Sequence, residues 1–347
     1  MVSKSDTYSP YKIVHHERKL ADLKAGKLPL PVVVQWDITD TCNANCSFCF
    51  YRSAGYELAG FNPKNVMSNE VIRRTIKELH ELGIKGIQWT GGGEPTLHPD
   101  FLEIVKYTEE LGLEQALVTN GILMTDKIVD AIKNFSWVRI SLDSATAPTY
   151  KEVKSVDKFD VVVSNIKKLM ESKAPSNVVG ISFIICPENY KEILLTARLA
   201  KYLKVDNFRI SIAMTPERDR LFDKIWEECI VQTRDAQKEE SDNFKVFAFS
   251  NRIKNLAESF TEFCGYQHFV GVIAPSGVYP CCRLKDDEKF CFGRLENETF
   301  MNIWYGDKRK KFIESIENGC YFDCWMTEKN EFIRYLLENS PEHINFV

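Results

Sequence analysis

From residue 32 the chain alternates short apolar runs with longer stretches whose apolar residues recur every three or four positions, the mark of strands joined by amphipathic helices. Val32-Val33-Val34-Gln35-Trp36-Asp37-Ile38 reads as the first strand. Ser68 caps a helix with Val71, Ile72, Ile76, Leu79 and Leu82 on its apolar face, and Gly83 closes it. Strands follow at 84–90, 115–121, 137–143, 177–185 and 207–212, with helices at 100–111, 125–134, 160–172 and 188–203 between them. The predicted fold class is α/β: six βα repeats form a partial (β/α)6 TIM-like barrel over residues 32–215. Ligands should then gather at the carboxyl ends of the strands.

The flanks are less regular. Residues 1–31 form an arm ending in a Lys/Gly/Pro-rich link, too short for an independent domain and expected to pack on the core. His15 and His16 within it are adjacent, so a helix would not turn both toward one site. Residues 216–260 form a linking region, a charged helix from Pro216 to about Lys238 and then a strand at 244–249 whose aromatic alternation suits buried packing. Cys229 lies on an apolar helical face there and reads as core. Residues 261–330 predict a small α+β, cysteine-rich domain, and 331–347 a tail.

Composition adds limits rather than detail. The 347 residues are 44% hydrophobic and 27% charged, ordinary for a globular protein. With 45 basic and 49 acidic residues the net charge is -4, which gives no pull toward nucleic acid or an anionic membrane. No apolar run reaches the roughly 20 residues of a membrane span. The first residues lack a signal-peptide pattern, so the expected location is the cytoplasm, where clustered cysteines are read as metal ligands before disulfides.

The chemistry starts at Thr41-Cys42-Asn43-Ala44-Asn45-Cys46-Ser47-Phe48-Cys49, immediately after the first strand. Three thiolates so close would repel one another without a metal. A zinc site would want a fourth ligand, and the nearest candidate beyond the loop is His80; an iron-sulfur cluster held by three cysteines would leave one iron open; a disulfide is the third reading. A second stretch, Gly91-Gly92-Gly93-Glu94-Pro95, follows strand Ile87-Gln88-Trp89-Thr90, and without its neighbour it would read as a plain turn before a helix.

Together, C-x3-C-x2-C with Phe48 before its last cysteine and the GGGEP stretch resemble the signature of the radical S-adenosylmethionine (SAM) enzymes. The resemblance implies that Cys42, Cys46 and Cys49 hold a 4Fe-4S cluster whose open iron chelates the methionyl part of SAM. It implies that Phe48 belongs to that cofactor loop and that Gly92, Gly93 and Glu94 help hold the SAM amino group. Reduction then cleaves SAM to methionine and a 5'-deoxyadenosyl radical that abstracts hydrogen from substrate. Asn120, Ser141 and Asp143 stand where members of the family place SAM contacts, and Arg209 could fork the SAM carboxylate; strand-end capping and surface pairing are the alternative readings.

Six of the 11 cysteines lie between 264 and 324. Cys264 and Cys282 bracket a predicted hairpin with a Ser-Gly turn, and Cys320 and Cys324 form a close pair after Ile303-Trp304, enough for a closed cluster or a structural zinc. The segment resembles the auxiliary-cluster domains called SPASM or twitch. That implies one auxiliary 4Fe-4S cluster on Cys264, Cys282, Cys320 and Cys324, although the final C-x3-C departs from the usual pattern. Cys281 and Cys291 remain over as candidate hydrogen donors or as inert buried thiols, and Cys281 could replace Cys282 as a ligand.

The resemblance implies an oxidoreductase- or isomerase-type enzyme acting on a sugar- or aminocyclitol-like small molecule or a peptide, by dehydrogenation, epimerisation or crosslinking. A flavodoxin- or ferredoxin-type donor would supply the electron. Two alternatives share part of the pattern, an RNA-modifying radical enzyme and a non-catalytic iron-sulfur or zinc regulator.

Overall fold

Residues rich in β-branched and aromatic side chains form the six expected strands: β1 (Val33–Asp37), β2 (Gly86–Thr90), β3 (Glu114–Thr119), β4 (Trp137–Ser141), β5 (Val178–Ile185) and β6 (Asn207–Ile212). The structure is a computed structural model describing residues 8–52, 60–213, 222–248, 263–316, 320, 324 and 326–338. Each strand pairs in parallel with the next. The sheet continues at both sides: β7 (Lys245–Ala248) pairs in parallel with β6, and β8 (Val270–Ala274) in parallel with β1. β9 (Gly277–Tyr279) completes the predicted hairpin, giving the order β7-β6-β5-β4-β3-β2-β1-β8-β9. The cysteine-rich segment thus begins as a strand of the barrel sheet.

The connecting helices are α2 (Asn69–Glu81), α3 (Phe101–Glu110), α4 (Asp126–Ile132), α5 (Ala147–Lys154), α6 (Phe159–Ser172) and α7 (Ile193–Tyr202). Ser68 and Thr125 cap α2 and α4 as their positions suggest, each accepting an amide hydrogen bond. α7 starts five residues later than expected, because Asn189 is drawn away to the carbonyls of Asp143 and Ile184. α1 (Glu17–Lys24) precedes the barrel, and α8 (Trp226–Gln237), α9 (Phe300–Trp304), α10 (Asp307–Ile316) and α11 (Thr327–Glu338) follow it. The expected helix start at Pro216, Phe249, the boundaries at 215 and 260, and the tail beyond 338 lie outside the described residues. Among the described residues no helix is long and apolar enough to cross a membrane.

Strand residues alternate between two environments. Val34, Trp36, Trp89, Leu117, Ile140, Ile181, Phe183 and Phe208 are buried and pack with helix residues such as Ile72, Ile76, Ile104 and Ile166 in one core. Their neighbours Gln35, Gln88, Arg139, Ser141, Arg209 and Ser211 face inward and line a cavity. A TIM barrel normally fills this space with branched apolar side chains. Here it is left open, with these polar side chains set among apolar ones such as Val118, Ile184 and Ile212.

The arm closes the side of the barrel. Tyr8 meets Phe247 of β7 edge-on at 4.9 Å between centroids, while Ile13 packs with Phe269, Val270 of β8 and Ile333 of α11. The described part of the arm thus spans the gap between the two flanks of the sheet.

On the opposite side α2 anchors the cysteine-rich segment. The amides of Phe300 and Met301 at the start of α9 donate to Glu78 Oε2 and Oε1 at 2.9 and 2.8 Å. Arg74 reaches the Leu295 carbonyl. Replacing Glu78 with Ala removes a cap shared between two parts of the fold and is expected to lower stability by about 1–2 kcal/mol in denaturant unfolding, with Glu78→Gln losing less.

Candidate active site

The loop after β1 contains no regular element, and its shape is imposed from two sides. On one side the amides of Gly93 and Glu94 donate to the carbonyls of Thr39 and Thr41 at 3.2 and 2.8 Å. A Cβ on Gly93 would stand 2.1 Å from the Thr41 oxygen, so only glycine permits this approach. On the other side the amides of Asn45 and Ser47 donate to Lys154 and Val153 carbonyls at 3.0 and 2.9 Å, and the Ser155 hydroxyl donates to the Asn45 carbonyl at 2.8 Å. Arg52 Nη1 and Nη2 donate back to the carbonyls of Ala44 and Asp40. Held this way, Cys42, Cys46, Phe48 and Cys49 all border the cavity, together with Gly92, Gly93 and Glu94.

Glu94 is almost wholly spent on the scaffold. Its Oε1 accepts from the Thr96 amide and from the hydroxyls of Thr96 and Thr119, and its Oε2 accepts from the Asn120 amide at 2.7 Å. Burial raises its pKa above the usual carboxylate range, and those hydrogen bonds oppose the rise. Oε2 retains room for one more donor, which is what an ammonium group requires.

Asn120 joins the end of β3 to the cysteine loop, donating to Asn43 Oδ1 at 2.7 Å with Cys42 Sγ 3.9 Å away. Ser141 shares a 3.3 Å hydrogen bond with Ser182 and lines the cavity, as does Arg209, whose Nη1 donates to Ser211. Asp143 departs from expectation. It has a left-handed backbone (φ 60°), is fully buried and does not line the cavity. Its Oδ2 pairs with Lys154 and its Oδ1 accepts from the Ile184 amide at 2.6 Å, so both oxygens are engaged within the fold and face away from the cavity. The residue that borders the cavity is Lys154, 5.1 Å from the centre of the Phe48 ring. Burial alone would lower the pKa of Lys154; the Asp143 carboxylate overrides that and raises it.

The cysteines of the second group lie in one neighbourhood, although among the described residues no three metal-ligating side chains are gathered closely enough to hold an ion. Cys264 is within electrostatic range of Cys324 and Cys320, and Tyr266 within range of Cys282, Cys281, Cys264 and Cys324. The Met326 amide and Asn330 Nδ2 approach Cys324 Sγ at 3.4 and 3.8 Å as donors suited to a thiolate. Cys291 fits the buried-thiol reading and not that of a hydrogen donor. Its buried thiol faces the carbonyls of Ser276 and Gly293 in a small cluster with Val272, Ala274 and Tyr279, and neither it nor Cys281 lines the cavity. A hydrogen donor to substrate would have to.

The cavity measures about 780 Å3. Burial raises the Cys42 thiol and pushes Cys46 up to about 11 at the cavity wall, and it pushes Cys264, in the second cysteine group, up to about 12. Soft, clustered thiols in such surroundings become ligands only when a metal displaces their protons. The donor set therefore suits iron-sulfur clusters.

Family comparison agrees. Residues 36–200 match the radical SAM superfamily, and residues 264–325 match the SPASM iron-sulfur cluster-binding domain. The chain carries a radical SAM domain followed by a SPASM domain. It is 25% identical to the AdoMet-dependent heme synthase of Methanosarcina barkeri over 79% of this chain and 82% of that one. It is 26% identical to the tungsten-containing aldehyde ferredoxin oxidoreductase cofactor-modifying protein of Pyrococcus furiosus, over 87% and 83%. The fold matches Streptococcus suis SuiB bound to SAM with a TM-score of 0.65 at 18% identity, covering 90% of this chain and 74% of SuiB. This radical SAM protein takes SAM, a 4Fe-4S cluster and auxiliary iron-sulfur as its cofactors.

Sequence reading missed Lys154, Lys285 and Asp37. The last two form a buried pair at the cavity wall that ties the cysteine-rich segment to β1, with Lys285 4.3 Å from the centre of the Tyr51 ring. Their partners lie 11 residues apart for Lys154 and 248 for Lys285, and no local pattern announces either. Replacing Lys154 with Met leaves the Asp143 charge buried and unpaired. Stability should fall by roughly 3–5 kcal/mol in denaturant unfolding, and the Asp143→Asn/Lys154→Met double variant should recover part of the loss.

Proposed function

We propose that the chain is an enzyme that uses SAM to remove a hydrogen atom from a polar substrate seated in the barrel cavity. The observation that carries the reading is the arrangement of Cys42, Cys46 and Cys49 along one wall of that cavity, against Gly92, Gly93 and Glu94. In this reading the three thiols hold the 4Fe-4S cluster, and Cys264, Cys282, Cys320 and Cys324 hold the auxiliary one. The cluster and SAM, when bound, supply reductive cleavage and a 5'-deoxyadenosyl radical.

The chain's own residues do the positioning. Glu94 Oε2 and the carbonyls of the glycine turn receive the SAM amino group, Phe48 packs beside the cofactor loop, and Ser141 and Arg209 present a hydroxyl and a guanidinium from the strand ends. Gln35, Gln88 and Arg139 lie deeper and offer hydrogen bonds to substrate. About 780 Å3 must hold the exposed corner of the cluster, SAM and substrate together, which favours a compact sugar- or aminocyclitol-like molecule. The second reading is a peptide inserting one residue, and it draws support from SuiB, which is also solved bound to its precursor peptide SuiA. The auxiliary cluster would accept the substrate's electron, giving an oxidised product, and a flavodoxin- or ferredoxin-type protein would deliver the electron that starts the reaction.

Anaerobic iron and sulfide analysis tests the ligand sets. Wild type should carry two clusters, the Cys42→Ala/Cys46→Ala/Cys49→Ala variant one, and further change of Cys264 and Cys324 none. 5'-Deoxyadenosine should form on reduction with SAM in wild type and vanish in the triple variant. Zinc in place of iron, or undiminished 5'-deoxyadenosine in the triple variant, would sink the proposal.

A further inference from the structure

Arg309, in the first turn of α10, is a charged side chain with 0% exposure. Among the described residues it forms no ion pair with a carboxylate. Its Nη1 donates to the Trp304 carbonyl at 3.4 Å, its Nη2 meets His268 Nδ1 at 3.3 Å, its guanidinium lies 3.8 Å from the centre of the Trp304 ring, and its Nε has no hydrogen-bond partner. His268 supplies no opposite charge. As the acceptor of an Arg309 hydrogen bond it is neutral, and burial together with Arg309 depresses its pKa to about 3. A buried guanidinium without an anion is among the costliest arrangements a fold can hold.

The missing anion has an obvious location. His268 ends the short turn Tyr266–His268 that begins two residues after Cys264, so Arg309 is hydrogen-bonded to the segment that presents this thiol. Cys264 acts electrostatically on Arg309, and Arg309 on Cys264. A 4Fe-4S cluster on four thiolates carries net negative charge in both of its working states and gains one more on reduction.

We propose that Arg309 is the built-in counter-charge of the auxiliary iron-sulfur cluster and holds its reduction potential up, so that the cluster can take an electron from substrate. The inference rests on the assignment of Cys264 as a cluster ligand. Arg309 is a positioning residue in the electrostatic sense, since it touches neither substrate nor the reacting atoms. A fixed positive charge in low dielectric favours the state with the extra electron, so its removal should lower the potential.

The test uses the full chain carrying Cys42→Ala/Cys46→Ala/Cys49→Ala, so that the auxiliary cluster alone is observed. Reductive titration followed by EPR is compared for Arg309, Arg309→Lys, Arg309→Gln and Arg309→Met. The Gln and Met changes should shift the midpoint to lower potential and Lys should restore most of it. Thermal unfolding of iron-free and iron-loaded protein supplies a second readout: Arg309→Met should leave the iron-free chain as stable as its parent or more so, and should shrink the gain in Tm on loading. An unchanged midpoint in loaded Arg309→Gln, or equal destabilisation with and without iron, would overturn the counter-charge. So would a Met variant that fails to fold without iron. If the parent binds no cluster, or keeps it when Cys264 is replaced, the ligand assignment is what fails.

Discussion

The buried pair of Asp143 and Lys154 fixes the geometry on which everything at the site depends. A carboxylate and an ammonium taken out of water must stay together, so the pair permits little relative movement of the elements carrying them. Asp143 stands just past the end of β4 and binds the Ile184 amide in β5, while its own carbonyl takes Asn189 Nδ2. Lys154 is the last residue of α5, and the carbonyls of Val153 and Lys154 receive the amides of Ser47 and Asn45. One ion pair thereby transmits the position of two barrel strands to the cysteine loop. The loop needs this support because it has no hydrogen-bond ladder of its own.

A second constraint keeps the barrel open. Parallel sheets are normally covered with apolar side chains on both faces. This one buries Trp36, Trp89 and Phe183 against the helices and turns Gln35, Gln88, Arg139 and Ser211 inward. Polar side chains set into this otherwise largely apolar lining would lose their hydration if the chamber collapsed, which favours keeping the space open for ligands. The cysteine-rich segment closes the upper part of the chamber by continuing the same sheet through β8 and by placing Lys285 on Asp37. Its position relative to the first three cysteines is therefore set by backbone pairing.

Period and punctuation made the six strands, most of the connecting helices and both cysteine groups readable in the sequence. What escaped has specific causes. α5 is only eight residues long with Pro148 in its first turn, and it ends at Ser155 in a left-handed conformation, so it resembles a loop. Asp143 sits where a ligand-binding carboxylate would, but its positive φ turns it away from the cavity, and φ cannot be read from a strand-end Asp. Cys291 could be read as a hydrogen donor or as an inert buried thiol, because spacing says nothing about depth. Arg309 reads as one more charge on a basic helical stretch, Lys308-Arg309-Lys310-Lys311, and only its burial sets it apart.

The two cysteine groups share a property that links folding to loading. Burial keeps Cys46 and Cys264 protonated at neutral pH in the bare chain, because a thiolate there would be desolvated without compensation. In the proposed ligand assignment, cluster assembly would remove those protons and supply the charge that the surroundings can meet: donors from Met326 and Asn330 at Cys324, and Lys154 close to Phe48 beside the first loop. The polypeptide around both sites is thus better matched to bound metal than to free thiols, and part of the energy of binding should appear as added stability of the loops that carry them.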